Sequence, residues 1–179
     1  MFLNKLNIYF KYSFHLFDNV KMSDIASKKL IPFFYKEEVD GQINCLYGTL
    51  SLYENTYVKE KHLRNIKESI ANINIVLSKL IDGMEIEFEE LGRLRDEKGE
   101  LCVNYNILSK KKGYSIPLRF ESDGIKKIVS ILFSLVDAFN NSYAMLVIDE
   151  LDSGIYEFLL GLILDIFKEK GQGQLLFTS

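Results

Sequence analysis

The stretch Ala144-Met145-Leu146-Val147-Ile148-Asp149-Glu150-Leu151-Asp152-Ser153-Gly154 runs five apolar residues without a polar break and then brings two carboxylates together. A short unbroken apolar run predicts a strand buried on both faces, the habit of a central strand in a parallel sheet. In such sheets ligands bind just beyond the carboxyl ends of the strands. Asp149 and Glu150 are therefore expected where a ligand would sit. Acidic turns are common, so the pair taken alone equally describes a strand ending in a solvated turn.

The flanks favour a site. Upstream, Ser122-Asp123 caps a helix predicted over 124–139. Its Ile125, Ile128, Val129, Leu132, Phe133, Val136 and Phe139 cover much of the circumference, which predicts deep burial. Downstream, a second helix is predicted over 155–170, followed by a Gly171-Gln172-Gly173 turn and a last strand at 174–178. A strand–helix–strand connection of this length predicts a parallel pair.

Residues 84–120 predict an antiparallel meander. Met84, Ile86 and Phe88 alternate with Glu85, Glu87 and Glu89; Leu101, Val103, Tyr105 and Ile107 share a face; Tyr114–Phe120 is the third strand. Asp96-Glu97-Lys98-Gly99 and Lys110-Lys111-Lys112-Gly113 supply the turns. Lys110–Lys112 with Arg93 and Arg95 have the charge to touch nucleic acid, although charged hairpin tips are usually only solvated.

The first 82 residues are expected to be mainly helical. Ser23-Asp24 offers an N-cap before Ile25, with Pro32 as a breaker, and Lys36–Gly41 reads as an exposed turn. The alternation in 43–55 is too poor to assign. From Tyr57 to Ile81, Leu63, Ile66, Ile70, Ile73, Leu77, Leu80 and Ile81 recur at three and four, an amphipathic helix closed by Asp82-Gly83. His15 lacks partners at metal-ligand spacing and reads as a packed or surface residue, and His62 lies at the polar start of the helix.

The 179 residues, 47% of them hydrophobic, suffice for a core. A net charge of −3 gives no global electrostatic case for nucleic acid as a partner. Cys45 and Cys102 stand alone and read as reduced thiols, placing the protein in the cytoplasm. No apolar run approaches a membrane span.

The order of these motifs resembles the second half of an ABC-type ATPase head, the group of chromosome-maintenance, DNA-repair and AAA-type phage-defence ATPases. On that resemblance Leu146–Glu150 is a Walker B strand, Leu151-Asp152-Ser153-Gly154 a D-loop, and Glu121–Lys127 a signature loop. Leu175–Ser179 would lead to the switch histidine, expected one residue after the chain ends. The implied fold class is α/β: a partial P-loop NTPase lobe with parallel strands and flanking helices, an antiparallel meander and an N-terminal helical region. The implied division is a region 1–82 and an ATPase lobe 83–179. The lobe comprises meander 84–120, signature helix 122–139, Walker B strand 144–149, helix 155–170 and last strand 174–178.

The resemblance also implies roles. Asp149 would hold Mg²⁺ and Glu150 would orient and deprotonate the attacking water. Ser122 and Gly124 would grip the γ-phosphate of ATP across a head-to-tail homodimer, and Asp152 would lie at that dimer's interface. Asp123 stands where transporter-type signatures carry glycine, and Ile125 where they carry glutamine. An acidic residue suits the first position when it turns away as a helix cap. No G-x-x-x-x-G-K-[ST] phosphate loop occurs in the 179 residues. The ATPase is therefore expected to need a partner lobe that carries one. The competing expectation is a non-enzymatic interaction module on a degenerate ATPase fold. A metal-dependent nuclease lacks the second acidic or histidine cluster it would need.

Overall fold

The computed structural model describes residues 13–18, 30–39, 42–52 and 56–179. One sheet is three-stranded, of β1 (Phe14–Phe17), β8 (Met145–Ile148) and β9 (Gln174–Phe177), ordered β1-β8-β9. Both pairings are parallel, with Phe17 opposite Ile148 and Ile148 opposite Phe177. The apolar run is thus the middle strand, as expected. Its two faces differ: Leu146 and Ile148 are fully buried, whereas Met145 and Val147 are half-buried. Burying one such side chain contributes about 1.5–3 kcal/mol.

Helix α2 (Asp123–Asn140) covers the buried face. Ile128, Val129, Ile131, Leu132 and Ala138 are each at most 1% exposed, so nearly its whole circumference is enclosed. It also carries buried polar groups that need partners. Ser130 Oγ donates to the Lys126 carbonyl (2.7 Å). Asp137 Oδ2 meets His15 Nε2 of β1 at 3.1 Å, tying the sheet to the helix. Of the two places the sequence allows His15, packed or at the surface, it takes the packed one.

The β8-to-β9 connection passes through α3 (Glu157–Lys170). Its return turn closes α2, since Gln172 N donates to Phe139 O (3.1 Å) and Gly173 N to Ala138 O (2.7 Å). These bonds satisfy carbonyls that a helix C-terminus leaves open. A Cβ on Gly173 would lie 2.6–2.7 Å from three backbone oxygens, so glycine is required at this crossing.

A second sheet is antiparallel. β5 (Glu85–Arg95) lines one edge of β6 (Leu101–Lys111), with a register shift between Glu90 and Gly92. Two short strands share the other edge: β4 (Thr56–Lys59) pairs with Cys102–Tyr105, and β7 (Tyr114–Pro117) with Leu108–Lys111. The meander holds, although its third strand stops at Pro117 and Leu118–Phe120 form a 3₁₀ turn. Met84, Ile86, Phe88, Val103, Tyr105 and Ile107 form the buried face, against α1 (Glu60–Leu80) with its Ile66, Ile70, Ile73 and Leu77.

Residues 1–82 are expected to be mainly helical; in their described part four strands precede α1. β2 (Leu30–Val39) and β3 (Gln42–Ser51) form an antiparallel hairpin in continuous register from Leu30–Ser51 to Val39–Gln42. Pro32 does not end a helix; it lies in β2, opposite Thr49 of β3, and among the described residues β2 pairs with β3 alone, an edge setting in which proline is found. Lys36–Val39 belong to the same strand rather than to a turn, and the unassigned stretch from 43 is strand. Tyr57–Lys59 form β4, so the helix begins later than its periodicity suggests. The cap at Ser23-Asp24 lies outside the described residues.

Candidate functional site

The carboxyl ends of β8 and β9 meet the N-terminus of α2. The strand register explains the first junction: with Ile148 opposite Phe177, the next residues in line are Asp149 and Thr178. Thr178 Oγ1 donates to Asp149 Oδ1 (2.5 Å) and accepts from Glu150 N (2.8 Å). The backbone crosses as well, through Leu151 N to Thr178 O (3.0 Å) and Asp149 N to Phe17 O (2.8 Å). Asp149 is half-buried and held on both sides by parallel strands, while Glu150 is exposed.

Glu150 has φ +48°, a left-handed conformation for a residue with a side chain. Such backbone costs about 1–3 kcal/mol and persists only where the surroundings over-determine it. Here the turn after β8 doubles back through Ser153 N to Glu150 O (3.1 Å) and Ile155 N to Asp152 O (3.0 Å), and Gly154 is also left-handed at φ +75°.

The second junction brings α2 onto this turn. Ser122 is the N-cap, its Oγ accepting from Ile125 N at 3.3 Å. The helix therefore starts where the cap residues predict, with its first amides near the surface and a partial positive charge at that end. A Cβ on Gly124 would lie 2.1 Å from the Gly154 carbonyl oxygen, so these two glycine backbones are in direct contact. Asp123 is exposed and turns to Lys126 (2.7 Å), whose hydrogen bond holds its carboxyl below the usual range. It is thus engaged along its own helix.

Lys127 reaches from α2 to the turn, its Nζ donating to Glu150 O (2.6 Å) and Ser153 O (2.8 Å). Burial pushes its ammonium below the ordinary lysine value, while the charges of Asp152 and Glu150 pull it back up. Asp152 is exposed.

Ser122, Gly124, Asp149, Glu150 and Asp152 are thus gathered at one edge of the molecule. Thr178 and Lys127 join them without a role foreseen from the sequence. Thr178 is a polar residue just past a strand end, but its partner depends on the strand register. Lys127 is one of many lysines, and only the fold sets it over two carbonyls.

Among the described residues, no three His, Cys, Asp or Glu side chains come together to hold a metal. One half-buried carboxylate at a strand end fits an ion that completes its shell with phosphate and water, as Mg²⁺ does. The Lys110–Lys112 turn is neutralised within the fold: Lys110 pairs with Glu87 (2.5 Å), Lys111 with Glu121 (2.9 Å) and Lys112 with Asp82 (3.2 Å). Arg93 pairs with Glu60 (3.0 Å), and Arg95 donates to Gly99 O (2.6 Å). An apolar cavity of about 370 Å³ lies between α1, α2 and α3. It is lined by Phe139 and Asn140, at the far end of α2 from Ser122. No described helix is long and apolar enough to cross a membrane.

Several solved structures have a similar chain course. A SmcHead bound to the C-winged helix domain of ScpA matches at 16% identity and a TM-score of 0.47, over 65% of this chain and 36% of that one. A Smc head domain with a coiled coil and joint derived from Pyrococcus yayanosii matches at 15% and 0.43, over 64% and 22%. A Smc head domain bound to the C-terminal domain of ScpA, derived from Pyrococcus furiosus, matches at 18% and 0.44, over 65% and 29%. The chain spans well under half the length of each. No curated protein matches the sequence significantly. The family profile described as "AAA domain, putative AbiEii toxin, Type IV TA system" matches residues 23–179. That match takes in the hairpin, the antiparallel sheet, β8 and β9 of the parallel sheet and the whole candidate site, and the protein belongs to this family of AAA-domain proteins.

Proposed function

We propose that the protein is the C-terminal part of an ATP-binding, ATP-hydrolysing head of the ABC type, active when joined by a lobe that carries a phosphate loop. The observation that carries this reading is the meeting of two phosphate-handling elements at one edge. The Asp149-Glu150 pair ends the central parallel strand, and the capped start of α2 touches the same turn through Gly124 and Gly154.

In this reading Asp149 would hold Mg²⁺ through the carboxylate to which Thr178 donates. The ion, when bound, neutralises phosphate charge. Glu150 takes the proton from the attacking water, a contribution of about 10²- to 10⁴-fold in rate. The Ser122 hydroxyl and the Gly124 amide contact the γ-phosphate of a nucleotide held by a second copy, in a head-to-tail dimer. Asp152, exposed within the turn, belongs to that dimer's interface.

Glu150→Gln tests the reading in the assembly completed by the phosphate-loop lobe. ATP binding should persist and hydrolysis should fall by about 10²-fold or more, with the nucleotide-bridged dimer accumulating. Unchanged turnover would remove Glu150 from the role. The absence of a G-x-x-x-x-G-K-[ST] loop from these 179 residues favours a second reading, an interaction module without catalysis. Calorimetry separates the two. On the ATPase reading the chain alone shows no micromolar Mg-ATP binding, and adding the lobe restores it. A lobe that restores nothing supports the module.

A further inference from the structure

We propose that Lys127 is a positioning residue for Glu150. Its ammonium clamps the turn that follows β8 onto the N-terminus of α2, and so keeps the proposed base in its left-handed backbone conformation. The proposal rests on the ATPase reading for its catalytic consequence, but its structural half stands without it.

The two peptide groups flanking the Glu150 Cα are held by two different elements. On the amide side, Thr178 Oγ1, just past β9, accepts from Glu150 N at 2.8 Å. On the carbonyl side, Lys127 Nζ of α2 donates to Glu150 O at 2.6 Å. The same ammonium donates to Ser153 O at 2.8 Å, so it closes the turn across its two ends. Holding both peptides restricts φ and ψ together, which is how a non-glycine residue stays at φ +48°.

Lysine suits this task. Its ammonium is a point charge with three rotatable donors, able to serve two carbonyls that converge from different directions. Hydrogen bonds from a charged donor are about twice as strong as neutral ones. The clamp acts beside the contact between Gly124 and the Gly154 carbonyl, so turn and helix start form one body. A displacement of the α2 N-terminus, as when it meets a phosphate, is then transmitted to Glu150.

Nuclear magnetic resonance of the labelled 179-residue chain tests the structural half, comparing wild type with Lys127→Met and Lys127→Arg. Wild type should show the strong intraresidue amide-to-Hα contact of a positive φ at Glu150, with protected amides at Ser153 and Ile155. Lys127→Met should lose the first and speed exchange at those amides roughly tenfold or more, as for loss of a charged hydrogen bond. Lys127→Arg should retain both signals. Lys127→Gln serves where Lys127→Met does not fold.

In the assembly with its phosphate-loop lobe, Lys127→Met should lower kcat roughly tenfold while leaving KM for ATP unchanged, and Lys127→Arg should restore kcat. A wild-type-like Glu150 signal and exchange in Lys127→Met would overturn the clamp. A loosened turn with unchanged kcat would overturn the positioning role alone. No turnover even in the wild-type assembly would overturn the ATPase reading and with it the catalytic consequence, leaving the clamp to be judged by the resonance data.

Discussion

Gly124→Ala isolates the contact on which the site is built. Gly124 is the second residue of α2, where alanine ordinarily favours a helix by up to about 1 kcal/mol over glycine. In this fold the new Cβ would stand 2.1 Å from the Gly154 oxygen and 3.2 Å from its carbon. Both atoms are backbone, so no side chain can swing aside. Either α2 or the turn must shift, and overpacking of this kind costs about 1–3 kcal/mol. The clash outweighs the propensity gain, and the expected net loss is about 1–2 kcal/mol. For a domain of this length that corresponds to a fall in Tm of roughly 2–8 °C. Urea and thermal unfolding followed by circular dichroism measure the loss, and amide exchange shows where it falls. Exchange should rise at Ser153 and Ile155 and stay unchanged in α1 and β6. An alanine variant as stable as wild type or more so, with unchanged exchange at these amides, would refute the contact between helix start and turn.

Thr178→Val removes the hydroxyl that serves Asp149 and Glu150 together. Mg²⁺-dependent nucleotide affinity of the completed assembly should drop about 10- to 100-fold, as for other residues that orient a metal-binding carboxylate, and titration calorimetry would detect it. Asp137→Ala breaks the buried contact with His15 and should cost about 1–3 kcal/mol in urea unfolding, the usual penalty for stranding a buried polar partner; a loss below the error of the midpoint would count against it. The Lys126 hydrogen bond holds the Asp123 carboxyl below its ordinary 3.8. Its contribution is fully present above that pH and disappears as pH falls through the lower folded value. Since Asp123 is open to solvent, the contribution is a few tenths of a kcal/mol at most. The urea midpoint of Asp123→Asn should therefore sit slightly below wild type near neutral pH and converge with it in acid.

Much of the C-terminal half was legible because its signals are local. The run Ala144–Ile148 is apolar without interruption and ends in Asp149-Glu150, which suffices to predict a buried strand with carboxylates at its end. Ser122-Asp123 before dense apolar periodicity suffices to predict the capped start of α2, and alternation marks β5 and β6. The hairpin of β2 and β3 is not legible in the same way, because its order comes from pairing between two strands. β2 and β3 are held by each other's backbone, so Pro32, a breaker by local propensity, sits in a strand. The sequence places a turn over Lys36–Gly41, and pairing with β3 draws Lys36–Val39 of it into β2. The details of the site belong to tertiary structure alone. Thr178 meets Asp149 only through the register of two parallel strands, Lys127 reaches two carbonyls only once α2 packs across β8, and Gly124 must be glycine only because Gly154 lies against it. Composition and periodicity report which face of an element is buried. They carry no information about which polar atom faces which across elements, because that depends on register and packing geometry rather than on neighbours in the chain.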